Sequence, residues 1–249
     1  MSIVQTEAIV LKKRDYSESS LLVDFFTRDF GKVKSIIKGA KRNKTNITGD
    51  LAIFSYNHIV FYESRHSDIN KLTQCQLLDR FDSIRTDIAG IAIASYFIEL
   101  VDSLSSPQDP SPQIFDILLW SLKSLKDNMN PQIISIIFQI KLLHLSGILP
   151  DLKRCCVCKT ESASKNLFFS ILLGGALCKN CADDEPSGIK ISEGVLGTME
   201  SLSNITPKEK MRFDINEGVQ NELDGMLNEI FKFHIDRNLK SLDFLNKVH

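Results

Sequence analysis

Two kinds of hydrophobic spacing divide this chain, with the change near residue 80. Before it, short apolar runs rich in β-branched and aromatic residues occupy positions 3–11, 21–27, 32–37, 51–62 and 72–78. Each reads as a strand, and Arg28-Asp29-Phe30-Gly31 reads as the turn into the third. Alternation along that third strand sets Lys32, Lys34, Ile36 and Lys38 on one face and Val33, Ser35 and Ile37 on the other. Five such strands with Gly-containing turns suggest a small Greek-key barrel, of which the OB-fold is the common example; a sandwich or an open sheet would give the same pattern.

After residue 80 the period lengthens to about 3.6. Ile84, Ile88, Ile91, Ser95 and Ile98 fall on one helical face, Pro107, Pro110 and Pro112 mark a loop, and 114–125 reads as a second helix. Pro131 suits the first position of a third helix running to about residue 145, apolar nearly all round and so central to a bundle. Gly147 and Pro150 stop it. Beyond a stretch of different composition, Ser192 reads as an N-cap for a helix over 193–202, and Thr206-Pro207-Lys208-Glu209 as another helix start. Val219, Leu223, Met226, Leu227, Ile230 and His234 form a further apolar seam. The expected class is α+β: an N-terminal OB-fold barrel over 1–80, helical segments over 81–150 and 188–249, and an inserted four-cysteine module over 151–187.

That insertion carries the strongest chemical signal. Cys155-x-x-Cys158 and Cys178-x-x-Cys181 stand nineteen residues apart, which is two-knuckle zinc spacing. Two thiolates separated by two residues can grip one ion from a single turn, and two such turns complete a tetrahedron. The segment between them reads as a hairpin turning at Gly174-Gly175, and Lys153, Arg154, Lys159 and Lys179 favour ionised sulfur. Four cysteines leave no open position, so one structural Zn2+ is expected, and no catalysis. Cys156 adjoins Cys155 as an alternative ligand with a poorer spacing, and Cys75 reads as a buried small hydrophobe.

Overall charge hides an asymmetry. The formal net charge is −1, yet positions 12 to 44 hold ten basic residues against four acids, leaving the remainder at −7. A basic segment on an acidic body points to a local polyanion site. Arg14, Lys32, Lys34, Lys38, Lys41, Arg42 and Lys44 are the candidate phosphate contacts, with Phe54, Tyr56, Phe61 and Tyr62 as nearby stacking surfaces. A solvated lysine face and core aromatics are the plainer alternatives. Nothing supports base-specific reading.

No phosphate-binding glycine loop, nucleophile elbow or zinc-protease helix is present, and the histidines His58, His66, His144, His234 and His249 are scattered, so no enzyme is expected. The amino end lacks the apolar core of an export signal, and no apolar run suffices to span a bilayer, so the expected compartment is the cytoplasm, without membrane association.

Three stretches together with the cysteines carry a family likeness: Tyr16-Ser17-Glu18-Ser19-Ser20-Leu21-Leu22 leading to Phe26-Thr27-Arg28-Asp29-Phe30-Gly31-Lys32, then Lys38-Gly39-Ala40-Lys41-Arg42, then Phe233-His234-Ile235-Asp236-Arg237-Asn238-Leu239-Lys240-Ser241-Leu242. Their order and spacing resemble the bacterial RecO family of DNA repair and recombination proteins. The resemblance implies an OB-fold followed by a helical domain with a zinc module. It implies binding of single- and double-stranded DNA, annealing of complementary strands, and cooperation with RecR to load RecA onto DNA coated by single-strand-binding protein (SSB), whose acidic, apolar tail is a further partner. The family's basic loop corresponds to Lys38, Lys41, Arg42 and Lys44, its zinc ligands to Cys155, Cys158, Cys178 and Cys181, and its setting to the bacterial nucleoid. The alternative from another class is a zinc-ribbon interaction adaptor without intrinsic DNA affinity; a third is a metal-using hydrolase.

Overall fold

The structure is a computed structural model that describes the chain apart from residues 1, 41–50, 65–66, 150–151, 153, 162–166, 186–187, 207–212, 236 and 249. Two compact units emerge, one formed by Met1–Met129 with Leu239–His249 and the other by Asn130–Asn238.

The first unit is built on a closed barrel of β1 (Ile3–Asp15), β2 (Leu21–Thr27), β3 (Gly31–Ile37), β4 (Tyr56–Tyr62) and β5 (Ile69–Asp79), in the order β1-β2-β3-β5-β4. All neighbours run antiparallel except β3 and β5, which pair in parallel through Lys34↔Ile69, Ser35↔Asn70 and Ile36↔Lys71. Ala8, Val10, Val23, Phe25, Val33, Ile59 and Phe61 fill the interior. A register shift in β1 between Val10 and Lys12 leaves four consecutive residues, Ala8 to Leu11, buried. A bulge of this kind bends a strand, and here it serves a barrel covered on its outside as well. Phe26, next to interior Phe25, stacks on Phe115 at 6.2 Å.

Phe115 belongs to α3 (Pro112–Lys126), which follows α1 (Asp82–Arg85) and α2 (Ile88–Leu104). The expected first helical face is corrected here. Ile84 lies in α1, and Asp87 interrupts the chain to cap α2 through the N–H groups of Ala89 and Gly90. Ile88 is consequently 62% exposed, and the buried face of α2 centres on Ile93, Phe97, Leu100 and Val101. The last helix, α8 (Lys240–Val248), packs on α2, and Glu99 of α2 accepts hydrogen bonds from the N–H and hydroxyl of Ser241 at 2.8 and 2.5 Å. Helix α8 falls within the helical segment expected over 188–249.

In the second unit, α4 (Pro131–Leu145) is buried almost throughout, as its all-round apolarity implied. Its Lys141 donates to the Ser203 carbonyl at 2.9 Å, and burial pushes that ammonium below its ordinary pKa. A three-stranded sheet of β6 (Leu167–Ser170), β7 (Gly175–Leu177) and β8 (Gly188–Ile191), in the order β7-β6-β8, carries the short helix α5 (Lys179–Asp183). Helix α6 (Glu193–Asn204) starts at Ser192, whose hydroxyl accepts from the Val195 N–H. Helix α7 (Glu217–His234) is capped by Asn216; Phe231 joins its buried face, and His234 is exposed, a departure from the expected seam. Positions 207–209 of the other expected helix start lie outside the described residues. No helix among the described residues is long and apolar enough to cross a membrane.

Gly31 shows how closely the first unit is packed. Its φ is +63°, and a Cβ there would land on the backbone of Asp109 at well under 3.0 Å. Gly39 has φ +72° and open space around it. Gly39→Ala therefore carries only the left-handed penalty, about 1 kcal/mol. Gly31→Ala adds displacement of the loop before α3, for roughly 2–4 kcal/mol in all. Urea denaturation of the two variants is expected to separate them in that order.

Candidate metal centre and basic barrel edge

The four expected cysteines converge. The sulfurs of Cys155, Cys158, Cys178 and Cys181 all lie within 4.8 Å of one another, with Cys158 and Cys178 3.7 Å apart. Local backbone explains the first knuckle: the Cys155 N–H donates to Thr160 O, the Lys159 N–H returns to Cys155 O, and Lys159 adopts φ +61° to close the turn. In the second, Cys178 stands at the start of α5 and Cys181 within it. Strands β6 and β7 form the hairpin that carries Cys178 back to the first pair. Cys156 is not one of the four, and its N–H is engaged by Ala176 O at 2.8 Å. Cys75 is half-buried beside the barrel core, with its sulfur 3.5 Å from Asn57 Oδ1.

The electrostatics are those of a site short of positive charge. The Thr160 hydroxyl, 2.9 Å from Cys158 Sγ, and the Thr160 N–H draw that thiol down to about 6. Burial pushes Cys155 up, but N–H groups of Cys178, Cys158 and Val157 outweigh it and leave the thiol below its ordinary value. Cys181, hydrogen-bonded to Cys178, is pushed up to about 12. Four sulfurs at this separation cannot all ionise unless a cation lies among them. A tetrahedral Zn–S length of about 2.3 Å requires sulfurs roughly 3.8 Å apart, and the 3.7 Å pair meets it. The cluster is compatible with a metal. Lys159, expected to favour thiolate, instead donates to the Cys156 carbonyl.

The basic edge is less open than its sequence implied. Lys32 lies 3.3 Å from Asp102 Oδ1 and also donates to the Asp102 carbonyl, while Lys12 meets Asp102 Oδ2 at 2.5 Å. Asp102 is on α2, its side chain only 11% exposed. Arg14 is paired with Asp24 at 2.6 Å. Arg28, outside the expected set, bridges Glu7 and Asp116 over the ring of Phe115. By contrast Lys34 and Lys38, with Lys13, are exposed and make no ion pair among the described residues. Lys41, Arg42 and Lys44 lie outside the described residues. Two of the four aromatics are not surface groups: Phe61 belongs to the barrel interior, and Phe54 is buried under the Arg85 guanidinium at 4.0 Å. Tyr56 is half-buried, donates to Glu7 and titrates well above its ordinary range, chiefly through burial.

Sequence reasoning missed the counter-charges Glu7, Asp24, Asp102 and Asp116, because a count of cations does not say which acids fold against them. It also missed Thr160, whose position two residues past Cys158 was a usable signal.

Two family descriptions meet just after the barrel strands: "Recombination protein O N terminal" matches residues 1–81 and "Recombination protein O C terminal" matches residues 85–243. The chain belongs to the RecO family. Among its RecO relatives, the DNA repair protein RecO of Desulforamulus reducens is 28% identical over 249 residues, covering all of this chain and 96% of the relative. That of Syntrophus aciditrophicus is 30% identical, covering 98% and 95%. The DNA repair protein RecO of Halalkalibacterium halodurans is 27% identical, covering 98% and 94%. RecO membership therefore extends over both units.

Cobalt(II) offered to the reduced chain is expected to bind at one ion per chain with the thiolate charge-transfer bands of an all-sulfur tetrahedron. Cys158→Ser and Cys181→Ser are expected to lose those bands, and Cys156→Ser to keep them; absorption titration reads all three.

Proposed function

We propose that this chain is a non-catalytic DNA repair and recombination mediator. It binds single- and double-stranded DNA through its phosphates, anneals complementary strands, and helps to load RecA onto SSB-coated DNA with RecR. Family membership supports the repair role. The observation that carries the DNA reading is the outward row of Lys34 and Lys38 on and just after β3, exposed cations that make no ion pair among the described residues. Phosphates spaced along a strand match such a row.

In this reading Lys34, Lys38, Lys41, Arg42 and Lys44 make the principal contacts. Arg14, whose side chain is half exposed beyond its pair with Asp24, adds a weaker one. Lys32 contributes only when Asp102 releases it. DNA binding belongs to residues 1–80. Residues 81–150 and 188–249 dock RecR and the acidic, apolar SSB tail, and 151–187 form a brace holding one structural Zn2+ on Cys155, Cys158, Cys178 and Cys181. Bound there, zinc would supply cross-linking and no open coordination position. The protein works in the bacterial cytoplasm at the nucleoid.

A second reading, the interaction adaptor, draws on Leu172 and Leu173, both exposed at the β6–β7 turn of the cysteine module. It predicts partner capture with negligible affinity for DNA.

Anisotropy titration of labelled oligonucleotides against salt separates the two. Affinity is expected to fall steeply, with about 0.7 counterions released per neutralised phosphate on single strands. Lys34→Ala/Lys38→Ala is expected to flatten the slope by roughly 1.4 and lower affinity without unfolding. A wild-type affinity that barely responds to salt overturns the phosphate reading. Asp102→Asn is expected to do the reverse of the lysine variant: it unclamps Lys12 and Lys32, raises affinity and steepens the slope by about one counterion. An unchanged slope would mean those lysines stay with the helix.

A further inference from the structure

The outer edge of β3 is closed in two places. Strand β5 pairs with it at Lys34–Ile36, and the segment before α3 pairs with it at Lys32, through Lys32↔Pro107 and the Gln108 N–H on Lys32 O. Between the two contacts lies a notch of about 310 Å3, whose polar lining includes Lys32, Lys34, Asn70 and the carboxylates of Asp24, Asp68 and Asp102. At about 30 Å3 per water the notch holds roughly ten waters, space enough for a nucleobase.

Lys32 and Asp102 of its lining are paired with each other and Asp24 with Arg14, but other polar groups are unspent. Asn70 is only 6% exposed, and its Oδ1 accepts from the Ser64 N–H at 2.9 Å, which fixes the amide. Its Nδ2 has no partner among the described residues. An amide donor left open beside its satisfied acceptor is available to a ligand. Asp68 is exposed and, like Lys34, makes no ion pair among the described residues.

We propose that the notch receives one unstacked base of a bound single strand. Lys34 holds the adjoining phosphate, Asn70 Nδ2 donates to a ring acceptor, and the Asp68 carboxylate accepts from an exocyclic amine. A carboxylate beside an amide donor complements the amine and ring nitrogen of cytosine or adenine. In thymine the same edge turns a carbonyl oxygen toward the carboxylate. The notch therefore gives a composition preference to a surface otherwise indifferent to sequence. The inference rests on the DNA-binding reading above.

The test compares a dC 12-mer with a dT 12-mer at fixed salt by anisotropy competition, on the wild-type chain and on Asp68→Ala, an exposed position whose truncation leaves the fold intact. The expected result is about tenfold tighter binding of the cytidine strand, the low end of what a base-edge pair discriminates. In Asp68→Ala the ratio is expected to fall to about one, with thymidine affinity held or slightly raised by the lost negative charge. Equal affinities in the wild type, or a thymidine preference, overturn the notch and leave DNA binding standing. So does a cytidine preference that survives Asp68→Ala. If neither strand binds the wild type at any salt, the DNA-binding reading falls first and the notch with it.

Discussion

Strand β3 lies beside β2 along its whole length, but on its other side it meets β5 over only three register pairs. An incompletely paired edge inside a barrel leaves backbone groups that must find partners. The segment between α2 and α3 supplies them at Lys32, and Gly31 lets its Asp109 backbone come within contact. Much of the first unit follows from this closure. It brings the end of α2 beside β3, where Asp102 reaches both Lys12 and Lys32. It leaves the notch between β5 and the loop.

The same closure sorts the charges. A cation near a helix that carries an acid is neutralised from within, whereas one further along the strand faces solvent. Lys32 and Lys34 are two residues apart on one strand face, yet the first is held by Asp102 and the second makes no ion pair among the described residues. Exposed ion pairs contribute little to stability, but the Asp102 carboxylate is mostly shielded and serves two ammonium groups, so its effect on where a polyanion can bind exceeds its effect on folding. The surface relevant to a phosphate backbone is accordingly narrower than a residue count of Lys and Arg indicates.

Which parts of this were legible in the sequence follows from the range of the interactions concerned. Strand alternation is local, so Lys34 outward and Val33, Ser35 and Ile37 inward were readable, as were Pro131 opening α4 and Ser192 capping α6. Cysteine spacing is also local, and all four sulfurs meet. Apolar content proved a poorer guide than period. The run 51–62 read as one strand, but only its second part is β4, because Phe54 turns at φ +56° and is buried without strand pairing. Asp87 was missed as a cap, so one imagined helical face merged α1 with α2. The ion pairs were out of reach: Lys12 and Asp102 are 90 residues apart, and Arg28 and Asp116 are 88 apart.

The cysteine module obeys a different constraint from the barrel. Its strands are three or four residues long and α5 is five. Elements so short bury little apolar surface, and segments of this size ordinarily need a cross-link to hold their shape. Here the cross-link is drawn from sulfur: two turns, each fixed by its own backbone hydrogen bonds, present four thiols to one point. Thr160 draws Cys158 down while the hydrogen bond to Cys178 holds Cys181 up, so the four thiols do not ionise alike. A cation held among them would join the two turns. The module's order rests on its cysteine cluster and the turns that present it, whereas the barrel's rests on an apolar interior and a shared strand edge.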